Sequence, residues 1–212
     1  ESGQGTGVEI GAPIPKLTCF DGPHTAMLLD IAFLDDATRP RAPKLENLTA
    51  HQRAPGRHLK MIHDHLRQSV TDLRKMVDDV MAGEKSVEEI EAEAEALTMV
   101  SNYRQFGNLC GQHCQTVHMH HSIEDAHIFP ALSEKGEAWK KVVDRLQAEH
   151  EIVHALLVKL IASLNVLVRD PSPSNFAEAR EINGSLERVL LSHLGYEEDE
   201  IGDALGYFQI GV

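Results

Sequence analysis

The chain has 212 residues, of which 42% are hydrophobic and 25% are charged, a composition typical of a folded globular protein. Its formal net charge of −13 argues against nucleic acid or an anionic membrane as a partner. No stretch is apolar over the length needed to cross a bilayer, and the first residues lack the pattern of a signal peptide. Together with only three cysteines, these features predict a cytoplasmic protein without a disulfide framework.

The first 56 residues are predicted to form an irregular arm. Six prolines interrupt this region, too many for a long helix. One amphipathic stretch, HTAMLLDIAFLDDA at residues 24–37, predicts a short helix lying on the main body of the protein.

Four long amphipathic helices are predicted after the arm, because apolar residues recur there in steps of three and four. Such helices with short connections are typical of an antiparallel four-helix bundle, which we predict over residues 57–205, with 206–212 as a tail. The predicted helices run from Pro55–Gly56 to Gly83, from the capping box Ser86–Glu89 to Pro130, from Gly136 to the stretch RDPSPS, and from Ser174 to Gly202 or Gly206.

Every predicted helix places at least one histidine on its apolar stripe. Successive helix positions advance by about 100°, so His58 and His65 point away from that stripe. Glutamates accompany the histidines on two of the helices, four positions later in each case. The inward set is His63 in the first helix, His120 and Glu124 in the second, His150 and His154 in the third, and His193 and Glu197 in the fourth.

These side chains point to a metal site, because a bound metal ion offsets the cost of burying imidazoles and carboxylates. Histidine and carboxylate without thiolate suit iron, zinc or manganese. Five histidines and two glutamates exceed the ligand number of one tetrahedral zinc, which favours two metal ions bridged by carboxylates. A ferritin-like plan is a rival, since Glu124–His127 and Glu151–His154 spell ExxH; however, the first helix lacks the glutamate that this plan needs, and Glu151 lies off its stripe.

The order of these residues resembles the hemerythrin (HHE cation-binding) family, in the stretches IHDHLR, HHSIEDAHIFPAL, LQAEHEIVHALLVKL and SHLGYEEDEI, across about residues 57–205. The resemblance implies two iron ions joined by an oxo or hydroxo group, with zinc or manganese ranked below iron. One iron would keep an open position for dioxygen. By resemblance, His150, His154 and His193 bind one iron, His63 and His120 bind the other, and Glu124 and Glu197 bridge them.

Some neighbouring residues compete with these ligands or lie beside them. Periodicity slightly prefers His121 to His120, and only the H-x-x-x-E spacing of the family favours His120. Glu198 competes with Glu197, because the family's oxygen carriers place their acidic residue five positions after the last histidine. Tyr196 and His127 are the other residues expected behind the ligands or as substitutes for them.

The expected function is therefore that of a non-haem diiron protein that binds or activates O2, peroxide or nitric oxide. It would act as an oxidase, oxygenase or peroxide-handling enzyme, and hence as an oxidoreductase with a small-molecule substrate, or as a sensor or carrier of O2. The alternatives are an iron-responsive interaction module and ferritin-like iron oxidation or storage.

Overall fold

The computed structural model describes residues 31–81, 111–170 and 172–211, and within these ranges all regular structure is helical. The second long helical segment is continuous but changes its winding in the middle, where five residues form a π-helical turn. In chain order the elements are a 3-10 turn at Asp36–Thr38, α1 at Ala54–Met81, α2 at Gly111–Ile123, the π turn at Glu124–Ile128, α3 at Phe129–Ser133, α4 at Glu137–Arg169 and α5 at Pro173–Tyr207.

The helix starts show local differences from the sequence prediction. Helix α1 begins at Ala54, so Pro55 lies in its first turn, where its missing N–H costs no hydrogen bond. Gly136 precedes α4 with a φ of 131°, a conformation that favours glycine. Helix α5 is preceded by Ser172, with Pro173 in its first turn, instead of the predicted Ser174 cap. The predicted Gly83 terminus and Ser86–Glu89 capping box lie outside the described residues.

Two apolar clusters form the core. The first contains Leu59, Phe129, Trp139, Leu146 and Ile201 among others, and the second is built around Leu66, Val117, Leu156, Leu164 and Leu190. Along α1, α4 and α5, the buried histidines lie where each helix passes from one cluster to the other. The protein therefore surrounds its buried polar groups with apolar layers on both sides.

The helices pack closely around these clusters: α1 contacts α5, α5 contacts α4, and α2 contacts both α1 and α4. Backbones approach closely where α1 meets α5. A Cβ atom at Gly56 would collide with the carbonyl group of Gly202, so this crossing requires glycine at position 56.

The described part of the arm lies on the helical body. Of the predicted N-terminal helix, residues 24–30 fall outside the described range, and the remainder contributes only the turn Asp36–Thr38. Residues 35–42, called the strap below, pack against α4 and α5. The strap is fixed to α5 by the Tyr196 hydroxyl, which donates to the Pro40 carbonyl at 2.8 Å, and by the Ala42 N–H, which donates to Glu200 at 2.6 Å.

Two findings modify the expectations from composition. Among the described residues, the stretch Glu137–Leu167 of α4 is long and apolar enough to span a bilayer, although α4 supplies many side chains to both core clusters and a core helix has the same composition. Cys114 is buried in the second cluster and is disulfide-bonded, whereas the small number of cysteines favoured a chain without a disulfide framework.

Candidate metal centre

A first group of four potential ligands brings together side chains from α1, α2, the π turn and α5. Their ligand atoms all lie within 4.8 Å of one another, and all four side chains are buried. The two histidines face each other directly, with 3.0 Å between the Nε2 atoms of His63 and His120. The carboxylates that complete the group are Glu124 and Glu197.

A second group lies next to the first and consists of His121, His150 and His193, from α2, α4 and α5. These three side chains are also buried, with ligand atoms within 4.8 Å of one another. The imidazoles of His121 and His150 are stacked, with ring centroids 3.8 Å apart. Consecutive residues of α2, His120 and His121, therefore serve different groups.

The two glutamates connect the groups. One oxygen of Glu124 lies 3.1 Å from Nε2 of His120 in the first group, and its other oxygen lies 3.6 Å from Nε2 of His150 in the second. Oε2 of Glu197 lies 3.7 Å from Nε2 of His63 and 3.5 Å from Nε2 of His193. Each carboxylate is thus close to histidines of both groups, as a bridging ligand must be.

Most of the buried ligand atoms at this centre lack a hydrogen-bond partner among the described residues. Across the described ranges, Nε2 of His121, His150 and His193 and all four carboxylate oxygens of Glu124 and Glu197 make no hydrogen bond of acceptable geometry. Buried polar atoms without partners are costly and rare. Cations placed among them would satisfy both the nitrogen lone pairs and the carboxylates, so the residues fit a metal centre.

Burial sets the protonation of these side chains. It lowers the pKa of His120 to about 4 and that of His121 well below its usual value, so both imidazoles are neutral at pH 7 and present a lone pair. Burial and the neighbouring charge of Glu197 raise the pKa of Glu124 well above its usual value. Metal cations would reverse this last effect by favouring the charged carboxylate.

Three of the histidines have an acidic side chain behind them. Nδ1 of His63 lies 3.0 Å from Glu198, Nδ1 of His150 lies 3.1 Å from Asp125, and Nδ1 of His193 lies 3.1 Å from Glu149. Because a carboxylate only accepts, each Nδ1 carries the proton and each Nε2 lone pair faces the centre. Such contacts orient metal-binding histidines and make them more basic.

The structure brings together six of the seven ligands that the resemblance implies and differs at one position. His154 is half-buried, belongs to neither group, and its Nε2 lies 3.2 Å from Nδ1 of His121. His121 takes the place beside His150 and His193. The six that converge are His63, His120, Glu124, His150, His193 and Glu197.

The other sequence candidates lie around the centre. Glu198 contacts Nδ1 of His63, on the side of the ring that faces away from the centre. Of the two adjacent glutamates, Glu197 is the one that belongs to the ligand group. The Tyr196 hydroxyl is turned to the strap. His127 is exposed, as are His58 and His65, which were predicted to point away.

Sequence reasoning missed Glu149, Asp125 and Arg39. Asp125 and Glu149 are each adjacent to a ligand in sequence, and this adjacency was the only signal for them. An acidic residue at such a helix position is usually exposed to solvent, so the signal is weak. Arg39 belongs to the arm, which has no helical period to indicate its direction, and nothing in the sequence connects it with the centre.

A family model, the hemerythrin HHE cation-binding domain, matches residues 54–205. This range covers more than half of the chain and includes both ligand groups, so the chain belongs to the hemerythrin HHE cation-binding family. No curated protein sequence and no solved structure matched the chain significantly. The helical fold and the His/Glu clusters agree with the membership, and the family binds metal cations, typically iron.

Proposed function

We propose that the helical segments form an antiparallel four-helix bundle around two iron ions and that the protein binds or activates O2, peroxide or nitric oxide there. One iron is held by His63 and His120 and the other by His121, His150 and His193. Glu124 and Glu197 bridge the two. The proposal therefore replaces His154, implied by resemblance, with His121.

The observation that carries the proposal is that each glutamate is shared between the groups. Two unrelated sites would have no need for carboxylates that both face the same pair of histidine sets. Seven converging side chains are also more than the six donors of one octahedral ion. A ligand set of nitrogen and oxygen atoms alone suits iron, manganese or zinc, and the number of ligands exceeds the four of a tetrahedral zinc site, which favours iron or manganese.

The bound pair of irons would supply electron exchange with small oxidants, and the chain's own residues would control access and protons. Phe129 stacks on His150 with ring centroids 5.2 Å apart, and the two apolar clusters exclude water above and below the centre. A row of imidazoles leads inward from the exposed His118: its ring lies 5.0 Å from that of His154, which contacts His121. Such a row would offer a path for protons, which an oxidoreductase requires and a reversible carrier does not.

Metal analysis tests the diiron assignment. Protein produced with iron is expected to contain two irons per chain and to show the near-ultraviolet absorption of a bridged ferric pair. A content of one metal per chain, or mainly zinc, would contradict it.

Gas exposure tests the chemistry. The reduced, iron-loaded protein is mixed with O2 and then degassed. Oxidation that does not reverse on degassing, with consumption of O2 or added peroxide, indicates an oxidoreductase. Recovery of the reduced spectrum indicates a carrier or sensor, and an absence of any reaction with O2, peroxide or nitric oxide would contradict the proposal.

Two alternatives rank lower. A ferritin-like centre would use Glu151 and His127 inside the bundle, yet both side chains are exposed. An iron-responsive interaction module would fold only when loaded. A metal-free protein that melts cooperatively near the temperature of the loaded one would speak against this alternative.

A further inference from the structure

Arg39 of the strap reaches the residues behind the metal centre with its guanidinium group, and Arg145, which donates to Thr38 and to the Asp35 carbonyl, connects the strap to the same place. Arg39 donates from Nε and Nη2 to the two carboxylate oxygens of Glu149, at 2.9 and 3.0 Å, and from Nη1 to the Ser192 hydroxyl at 2.9 Å. Its side chain is only 12% exposed, and it lies over the ring of Tyr196, 4.7 Å from the centroid. Two-point contacts of this kind fix both distance and orientation.

Glu149, which Arg39 holds in place, in turn contacts the ligand His193. The oxygen Oε2 that accepts from Arg39 Nη2 also lies 3.1 Å from Nδ1 of His193. Arg145 donates to Oε1 at 2.6 Å, and the glutamate side chain is 4% exposed. Burial opposes its ionisation, but the hydrogen bonds from His193, Arg39 and Arg145 lower the pKa of Glu149 to about 2.

The strap is also attached at points that do not touch the centre. Arg41 pairs with Glu200 at 2.6 Å, and the Ala42 N–H donates to the same carboxylate. Arg41 is 74% exposed and contacts none of the ligands. The strap thus contains one arginine directed at the centre and one directed at the surface, only two positions apart.

The geometry points to Arg39 as a positioning residue of the metal centre: by holding Glu149 against Nδ1 of His193, the strap fixes the direction of the His193 Nε2 lone pair and retains the iron on that side. The strap is then a functional part of the centre and not only a cover for the helices. This inference rests on the proposed function, because it concerns metal held by His193.

Iron release to an excess of chelator tests the inference in the full-length protein. Arg39→Ala is expected to release iron about 10–100-fold faster than the wild type, the usual effect of losing a residue that supports a ligand. Arg39→Lys keeps the charge but cannot donate to both carboxylate oxygens, so it should also release iron faster. The matched control Arg41→Ala should stay within about threefold of the wild type, because Arg41 is exposed and contacts none of the ligands, and its partner Glu200 keeps the Ala42 N–H as a donor.

A double-mutant cycle then separates positioning from general stability. If Arg39 acts through Glu149, the pair Arg39→Ala and Glu149→Gln should release iron no faster than Glu149→Gln alone. Effects that multiply, or equal release rates for the Arg39 and Arg41 variants, would overturn the inference. Should Arg39→Ala not fold, Arg39→Lys replaces it in the cycle. A wild-type protein that retains no iron would overturn the proposed function itself, and the inference with it.

Discussion

His63 and His193 are each held from behind by a glutamate, but the two glutamates have different surroundings. Glu198, behind His63, is 17% exposed and accepts from Arg67 at 2.6 Å, with Lys60 nearby. Glu149, behind His193, is 4% exposed and is held by two arginines that are themselves nearly buried. The support behind His63 is partly open to solvent and joins α1 to α5, whereas the support behind His193 is buried and depends on a strap residue 110 positions away in sequence.

The comparison indicates where the centre is sensitive. An ion pair that is open to solvent is screened, so the loss of one partner costs little free energy. A buried carboxylate that loses its donors becomes an unpaired charge at high cost. We therefore expect the His193 side to depend more strongly on its supporting residues than the His63 side, while the bridging glutamates matter to both.

The largest effect is expected at the bridge. Glu197→Gln should abolish most iron binding and the bridged-pair absorption, because a neutral amide cannot neutralise charge between two cations. Glu198→Gln, the adjacent control, should keep both irons because Glu198 faces the back of His63. Iron content and the absorption spectrum measure the result. The reverse pattern would move the bridge to Glu198.

The next prediction concerns the second group. His121→Ala should lose iron from the His193 side, because its Nε2 faces the centre without a protein partner. His154→Ala should keep both irons, since His154 lies behind His121. Metal analysis of the two purified variants decides between them. Loss of iron only in the His154 variant would restore the ligand set implied by the family resemblance.

The two supports can be compared directly. Glu149→Gln is expected to lower iron affinity about 10–100-fold, the range typical for residues that orient a metal ligand. Glu198→Gln should lower it less than about tenfold, because its contacts are partly screened by solvent. Competition with a chelator of known affinity gives both values. Equal losses would mean that burial does not distinguish the two sides.

The smallest effect is the pH dependence of the metal-free protein. Burial lowers the pKa of both His120 and His154 to about 4 and also lowers those of His121 and His193. The unfolded chain therefore takes up protons first as the pH falls below about 6.5, and the free energy of unfolding should fall between pH 6.5 and 4.

Each proton that the unfolded chain binds and the folded protein does not lowers the free energy of unfolding by at most about 1.4 kcal/mol per pH unit. Glu124 acts in the opposite sense, because its raised pKa favours the folded state on acidification, but it opposes four histidines. The pKa of Glu149 is lowered from its ordinary value of 4.5 to about 2, so its contribution to the free energy of unfolding is lost only below about pH 4.5. Urea unfolding at pH 7, 6 and 5 measures the slope. A stability that stays flat or rises towards pH 5 would contradict this ionisation pattern.

Much of the helical structure is readable from the sequence, because the apolar steps of three and four in α1, α4 and α5 reflect burial along one face. The same steps place His63, His150 and His193 among buried leucines. The strap was not predictable. Its contacts are made by arginine side chains in an irregular segment, where no period indicates which residues face inward.

In α2 the sequence left His120 and His121 as competing ligands. His120 and His121 are adjacent and about 100° apart on a regular helix, so one of them would be expected to face outward. Both are buried because they serve neighbouring groups, and the winding changes at Glu124 to continue into the π turn. A π turn has no reliable sequence signal, and such turns are frequent at functional sites.

Glu124 and Glu197 are expected to hold two irons as one coupled pair. Magnetic measurement of the oxidised, iron-loaded protein at low temperature, together with its iron content, tests this most directly. Two ferric ions joined by shared bridges couple antiferromagnetically, so we predict two irons per chain and a diamagnetic ground state. A paramagnetic signal of isolated ferric ions that accounts for the bound iron would contradict the shared centre.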